Sequence, residues 1–198
     1  MSGRKTDPLD YNICIEEAKA FHGEVCGGII MGTRMAISGM KAVGIFDPKG
    51  EDKKNLMVFV EIDRCPTDAI IAVTGCHPGK RTLKILDNGK MAATFINLKT
   101  GKAVRVCSRN RQGDVIKTRE MIEKEPMKED FATLSDDELF TVTEVTVNLK
   151  PEDMPGRPHK SIPCALCGER VLDMRDVEME GKLLCRPCAE QKNYYTAV

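Results

Sequence analysis

Near its C-terminus the chain carries two cysteine pairs, Cys164-Ala165-Leu166-Cys167 and Cys185-Arg186-Pro187-Cys188, separated by seventeen residues. No other feature restricts the fold so tightly. A C-x2-C turn makes two thiolates converge on one point, and a second such turn at this distance completes a tetrahedron around a single ion. Gly168, directly after the first pair, gives the backbone the freedom that a tight knuckle needs. Four thiolates leave no open position, so the expected ion is a structural zinc held by Cys164, Cys167, Cys185 and Cys188. About forty residues bury too little apolar surface to fold unaided, and metal binding supplies the missing free energy. Two independent redox pairs are the competing reading, and the four-thiolate spacing argues against it.

The segment before these pairs, KPEDMPGRPHK (150–160), holds three prolines and a glycine and reads as a linker. It predicts a core domain over residues 1–150, a linker over 151–160 and a zinc finger over 161–198. The order knuckle, hairpin around Glu180-Gly181-Lys182, second pair and short helix resembles a treble-clef finger. CALCGERV and LLCRPCAEQ are also similar to the finger of the DksA/TraR type. From Lys160 onward six Lys/Arg stand against six Asp/Glu. Such a neutral finger lacks the charge excess that drives phosphate binding, so nucleic acid is not the expected partner. A zinc-finger regulator that binds nucleic acid stays open as an alternative.

With 198 residues, 41% hydrophobic and 30% charged, the chain has the composition of a soluble globular protein. No apolar run is long enough to span a bilayer. MSGRKTDPLDYN lacks the apolar core of a signal peptide, so the expected location is the cytoplasm. Nine cysteines in a reducing compartment indicate metal or thiol chemistry rather than disulfides. The formal net charge is zero, yet the charges are segregated. Residues 80–119 are strongly basic and 120–153 strongly acidic. The two segments either face each other, within the fold or across a dimer, or leave a basic face for an anionic ligand.

Periodicity outlines the core. Helices are expected over residues 10–20 and from Gly28 to Val43, the second with Gly28, Gly32 and Ala36 on one small-residue face. LMVFVEI (56–62) is a buried strand. CPTDAIIAVTG then opens a helix, with Pro66 in its first turn. Strands follow at 82–87, 91–98 and 103–108, with Asn88-Gly89 and Thr100-Gly101 marking hairpins between them. Residues 114–123 are helical in pattern, SDDELF carries a capping box, and TEVTVNL alternates as a half-buried strand. Helices followed by a hairpin-rich sheet give an α+β core with a mixed β-sheet.

Within that core, FHGEVCGG (21–28) places His22, one of only three histidines, four residues from Cys26. Packing does not account for Gly27-Gly28. A cysteine at the mouth of a helix meets the positive end of its dipole, which lowers a thiol pKa. Cys65, between a strand and Pro66, repeats that logic. Cys76 lies next to His77, ahead of Gly79-Lys80-Arg81. One imidazole with thiolates and free positions makes an open, borderline-soft metal site. Candidate catalytic residues are therefore His22, Cys26 and Cys65. The candidate ligands of a second zinc or other transition metal are His22, Cys26, Cys65 and Cys76. Glu24 is either an accessory base or a solvated charge. Cys14 and Cys107 read as core.

FHGEVCGGIIMGTRMA together with EIDRCPTDAIIAVTGCHPGKRTLKILDNGKMAATFINLKTGKAVRV resembles the FmdE family, which takes its name from formylmethanofuran dehydrogenase. Some of its members also carry a C-terminal zinc finger. The resemblance implies a mixed sheet flanked by helices, a homodimer, and a site at His22, Cys26, Cys65 and Cys76. It also implies an accessory role beside formylmethanofuran dehydrogenase or a related molybdenum or tungsten enzyme of one-carbon metabolism, as in methanogens. The chain departs from the family motif at Glu24, where a second histidine is common, and at Gly27, where proline is. No cysteine run fits an iron–sulfur cluster, so the chain does not carry the redox chemistry alone. The alternative is a free-standing thiol- or metal-dependent enzyme that holds an anionic small molecule with Lys80 and Arg81.

Overall fold

In the computed structural model, which describes residues 7–110, 116–124, 131 and 133–196, Asp10 starts the first helix, α1 (Tyr11–His22). Its carboxylate accepts from the amides of Asn12 and Ile13 at 2.9 and 3.2 Å, satisfying two of the donors left open at a helix start. Gly23, at φ +104°, ends α1 and lets the chain turn directly into α2 (Gly27–Val43). The core continues with β1 (Leu56–Val60), α3 (Cys65–Thr74), β2 (Leu83–Ile85), β3 (Ala92–Asn97) and β4 (Ala103–Ser108). It ends with α4 (Arg119–Lys124), α5 (Asp136–Leu139) and β5 (Phe140–Glu144). Part of the helix expected over 114–123 lies outside the described residues.

The five strands form one mixed sheet in the order β2-β1-β3-β4-β5. β3 and β4 make the hairpin expected at Thr100-Gly101. The hairpin expected at Asn88-Gly89 does not form. β2 instead pairs parallel with β1, and β1 separates it from β3. The reason lies in β1, whose continuous apolar run needs strands on both sides. α3 is the crossover that brings β2 alongside it in parallel. The alternation of Val145, Val147 and Leu149 falls beyond β5, which begins earlier than expected. The amide of Val145 still bonds to the carbonyl of Ala103 at 3.0 Å.

α2 is buried almost all round, through Ile29, Met31, Met35, Ala36, Met40 and Val43, as a helix between two layers must be. On its sheet side a side chain at Gly39 would collide with the Phe95 ring of β3. Asn97 at the end of β3 donates to the carbonyl of Val43 at 3.0 Å. On its other side Gly32 faces α3, where a Cβ would come within 2.6 Å of the Pro66 backbone and 2.9 Å of Ala69. Arg34 ties α2 to α5 through Asp136 Oδ1 at 2.6 Å and to the Phe131 carbonyl at 2.9 Å. The capping box of Ser135 and Glu138 is formed. The basic and acidic segments meet along β4 and β5. There Arg109 donates to the backbone carbonyls of Asp137 and Phe140 at 2.7 and 3.0 Å, while Arg105 pairs with Glu61 on the β1 side.

The chain divides into two compact units, Met1–Val147 and Asn148–Val198. The second holds two small hairpins, β6 (Ser161–Pro163) with β7 (Arg170–Leu172) and β8 (Val177–Met179) with β9 (Lys182–Leu184). A short helix, α6 (Arg186–Glu190), follows. The proline-rich stretch expected to act as a linker belongs to this unit. Pro151–Asp153 forms a 3-10 turn, Asp153 pairs with Arg175 at 2.7 Å, and Lys160 pairs with Asp176 at 2.6 Å. Among the described residues no helix is long and apolar enough to cross a membrane.

Gly32→Ala is expected to destabilise the protein by about 1–3 kcal/mol in urea unfolding, because the added methyl meets backbone that cannot rotate away. An unchanged or raised stability, as helix propensity alone would give, contradicts this packing.

Candidate metal centres

The first centre lies where three helix ends meet. His22 is the last residue of α1, Cys26 is the extended N-cap of α2, and Cys65 is the first residue of α3. One ring nitrogen of His22 and the two sulfurs all lie within 4.8 Å of one another, and each residue is half-buried. Contrary to the expectation from the sequence, packing does account for Gly28, which permits the approach of α3. A Cβ there would stand 2.9 Å from Cys65 Cβ and 3.6 Å from Cys26 Sγ. The loop that delivers Cys65 is anchored at both ends. Before it, Glu61 takes two hydrogen bonds from Arg105, at 2.6 and 3.0 Å, and one from Asn88 at 3.3 Å. The Arg105 bonds hold the Glu61 carboxyl below its ordinary range. After it, the Thr67 hydroxyl donates to the Ile62 carbonyl and the Thr67 amide to Arg64 at 2.8 Å. Beside the centre, His22 Nδ1 lies 2.8 Å from Asp68 Oδ2. The Phe131 ring stands 3.5 Å from where a Cβ on Gly27 would be, and covers that side of the α2 start.

The helix starts were expected to lower the thiol pKa values. At Cys65 the opposite holds: burial, and then the neighbouring Cys26 thiol, push it up. Cys76 is not part of the group. It follows α3 at its far end, ten residues of helix or about 15 Å from Cys65. There it is buried with Sγ 3.6 Å from the Leu56 carbonyl, and burial raises its thiol pKa. Lys80 and Arg81 also lie at that far end, so they do not place an anion at Cys26 and Cys65. Lys80 instead lines a cleft of about 330 Å3 with Phe21, Lys49, Lys53, Ile71 and His77. Glu24 is exposed. Cys14 is fully buried, whereas Cys107 is half-buried on β4. Asp68 was not among the expected site residues. Its spacing of three from Cys65 on a helix was the available signal.

The second centre gathers the four sulfurs of Cys164, Cys167, Cys185 and Cys188 within 4.8 Å of one another. Gly168, at φ +76°, closes the knuckle by donating to the Cys164 carbonyl at 3.0 Å. Cys185 caps α6 and Cys188 lies in its first turn. The amide of Cys167, followed by that of Cys185, pulls the Cys164 thiol down to about 6. Cys188 is pushed up to about 12, chiefly by the adjacent Cys185. Four thiols this close resist joint ionisation, and a cation among them removes that resistance. Both groups therefore have the donors and the convergence to hold a metal ion.

Residues 21–148 match the family model described as FmdE, Molybdenum formylmethanofuran dehydrogenase operon. A probable S-adenosyl-L-methionine-binding protein from Archaeoglobus fulgidus is 37% identical over 90 residues, which make up 45% of this chain and 25% of that protein. The chain thus spans about a quarter of the length of that curated relative. The crystal structure of a tungsten formylmethanofuran dehydrogenase FmdE-like protein from Syntrophus aciditrophicus shares the fold. Its TM-score is 0.58 at 23% identity, over 93% of this chain and 95% of that one.

Gly28→Ala tests the first centre by geometry alone. Its methyl wedges against Cys65 Cβ and spreads the two sulfurs, so Co2+ titration of the core is expected to show affinity lower by on the order of tenfold. Unchanged affinity means the two sulfurs do not share an ion.

Proposed function

The chain belongs to the FmdE family, and on that premise we propose that it is a metal-binding accessory protein of formylmethanofuran dehydrogenase or a related molybdenum or tungsten enzyme of one-carbon metabolism. The observation that carries this reading is the meeting of His22, Cys26 and Cys65 within 4.8 Å at the helix ends. An imidazole and two thiolates suit zinc or another borderline-soft transition metal. Three protein donors leave a coordination position for a ligand from outside, the arrangement of sites that act on or hand over a ligand. An ion bound there would supply Lewis acidity at that position. Cys26 and Cys65 would hold it from the two helix starts, and half-burial would limit access to one side.

In the second unit Cys164, Cys167, Cys185 and Cys188 would bind a structural zinc that stabilises residues 161–198. A free-standing enzyme that holds an anion with Lys80 and Arg81 gains nothing from this geometry, since those residues stand at the other end of α3. A nucleic-acid regulator gains nothing from the finger's balanced charge.

Purification from the native source with partners attached, followed by mass spectrometry and metal counting, tests the reading. Two zinc equivalents per chain are expected. One withstands dialysis and is lost in Cys164→Ser, while the other is weaker and lost in Cys26→Ala with the fold intact. A chain that co-purifies with no component of a molybdenum or tungsten enzyme contradicts the accessory role. A Cys26→Ala variant with unchanged metal content contradicts the core site.

A further inference from the structure

We propose that Asp68 is the positioning residue of the core centre: it holds the His22 ring by Nδ1 and so assigns Nε2 to the ion. The inference rests on the proposed core metal site. His22 Nδ1 and Asp68 Oδ2 are 2.8 Å apart, a charge-assisted hydrogen-bond distance. A neutral imidazole has one N–H and one lone pair. With the proton on Nδ1 facing the carboxylate, the lone pair is on Nε2. The His22 side chain is 19% exposed and that of Asp68 41%, so the ring is the more sheltered of the two partners.

The placement of Asp68 gives this contact its consequence. Cys65 and Asp68 are three residues apart at the start of α3 and share a face. One turn of helix therefore presents both a sulfur donor and the carboxylate that orients the imidazole. His22 belongs to α1 and Cys26 to α2, so the Asp68 contact is what sets the angle of the α1 donor relative to the other two. A carboxylate behind a ligating histidine fixes its tautomer and raises its basicity, and loss of such a partner weakens metal binding about 10- to 100-fold. Asp68 has a second, metal-independent effect as the acidic residue in the first turn of α3, favourable to the helix dipole. A merely structural role would end there.

Two measurements on the full-length protein separate these roles. In the first, 15N-histidine-labelled wild type loaded with 113Cd2+ is examined by long-range 1H–15N NMR. Coupling of cadmium to His22 Nε2, with Nδ1 protonated, is expected. Coupling to Nδ1 overturns the proposal and needs no variant to be read. In the second, Co2+ is titrated into protein whose finger is already filled with zinc, and thiolate-to-cobalt absorption is followed. Asp68→Ala is expected to bind Co2+ about 10- to 100-fold more weakly. Asp68→Asn, which keeps an oxygen acceptor for Nδ1–H, is expected to recover part of that loss. Equal affinity in wild type and Asp68→Ala overturns the proposal while leaving the metal site standing. Absence of any second equivalent on the wild type overturns the metal site itself, and this inference with it.

Discussion

The close approach of α2 to α3 is the contact on which the core centre depends. Two glycines one helical turn apart, Gly28 and Gly32, leave α2 without side chains where α3 arrives. The Pro66 backbone and Cys65 Cβ occupy the space. Because the contact lies at the N-terminal ends of both helices, it brings together the two residues that begin them, Cys26 and Cys65. Gly23 then turns the end of α1 back so that His22 joins them. Close-packed interiors do not yield to an added methyl, so the same glycines that allow the packing also set the distance between the sulfurs. Fold and site are one constraint here.

The two centres differ in how they are built. The four cysteines of the second unit come from two local turns, each of which sets its own pair of sulfurs. Such a group is written in spacing alone, and its four thiolates would saturate an ion. The three residues of the core come from three separate helix ends and are placed by tertiary packing. Three donors would leave a position free on an ion, and their surroundings bear on what could reach it. Phe131 lies over the α2 start and Asp68 lies behind the imidazole. Family membership covers this part of the chain, residues 21–148.

How far each part was legible follows from that difference. Local signals read well. Asp10, Gly44, Gly75 and the Ser135 capping box bound helices as their chemistry requires, and Thr100-Gly101 turns β3 into β4. The small-residue face of α2 and the entry of Cys65 into a helix are also visible in the sequence, so His22, Cys26 and Cys65 can be named together. Long-range choices read poorly. Asn88-Gly89 carries a hairpin signature, but the need of β1 for neighbours on both sides prevails and β2 goes to its far edge. Cys76 is eligible by its histidine neighbour, and the length of α3 removes it from the centre. Asp68 escapes notice because a carboxylate in a first helical turn is ordinary, and only the arrival of His22 from another helix gives it a partner.

X-ray absorption at the zinc edge, on the whole chain with Cys164, Cys167, Cys185 and Cys188 all changed to serine and one equivalent of zinc added, asks whether His22, Cys26 and Cys65 share an ion. A first shell of two sulfurs at about 2.3 Å and nitrogen or oxygen donors at about 2.0–2.1 Å is expected, with the imidazole scattering of one histidine. A shell without sulfur, or zinc that fails to bind, would show that His22, Cys26 and Cys65 are neighbours through packing alone.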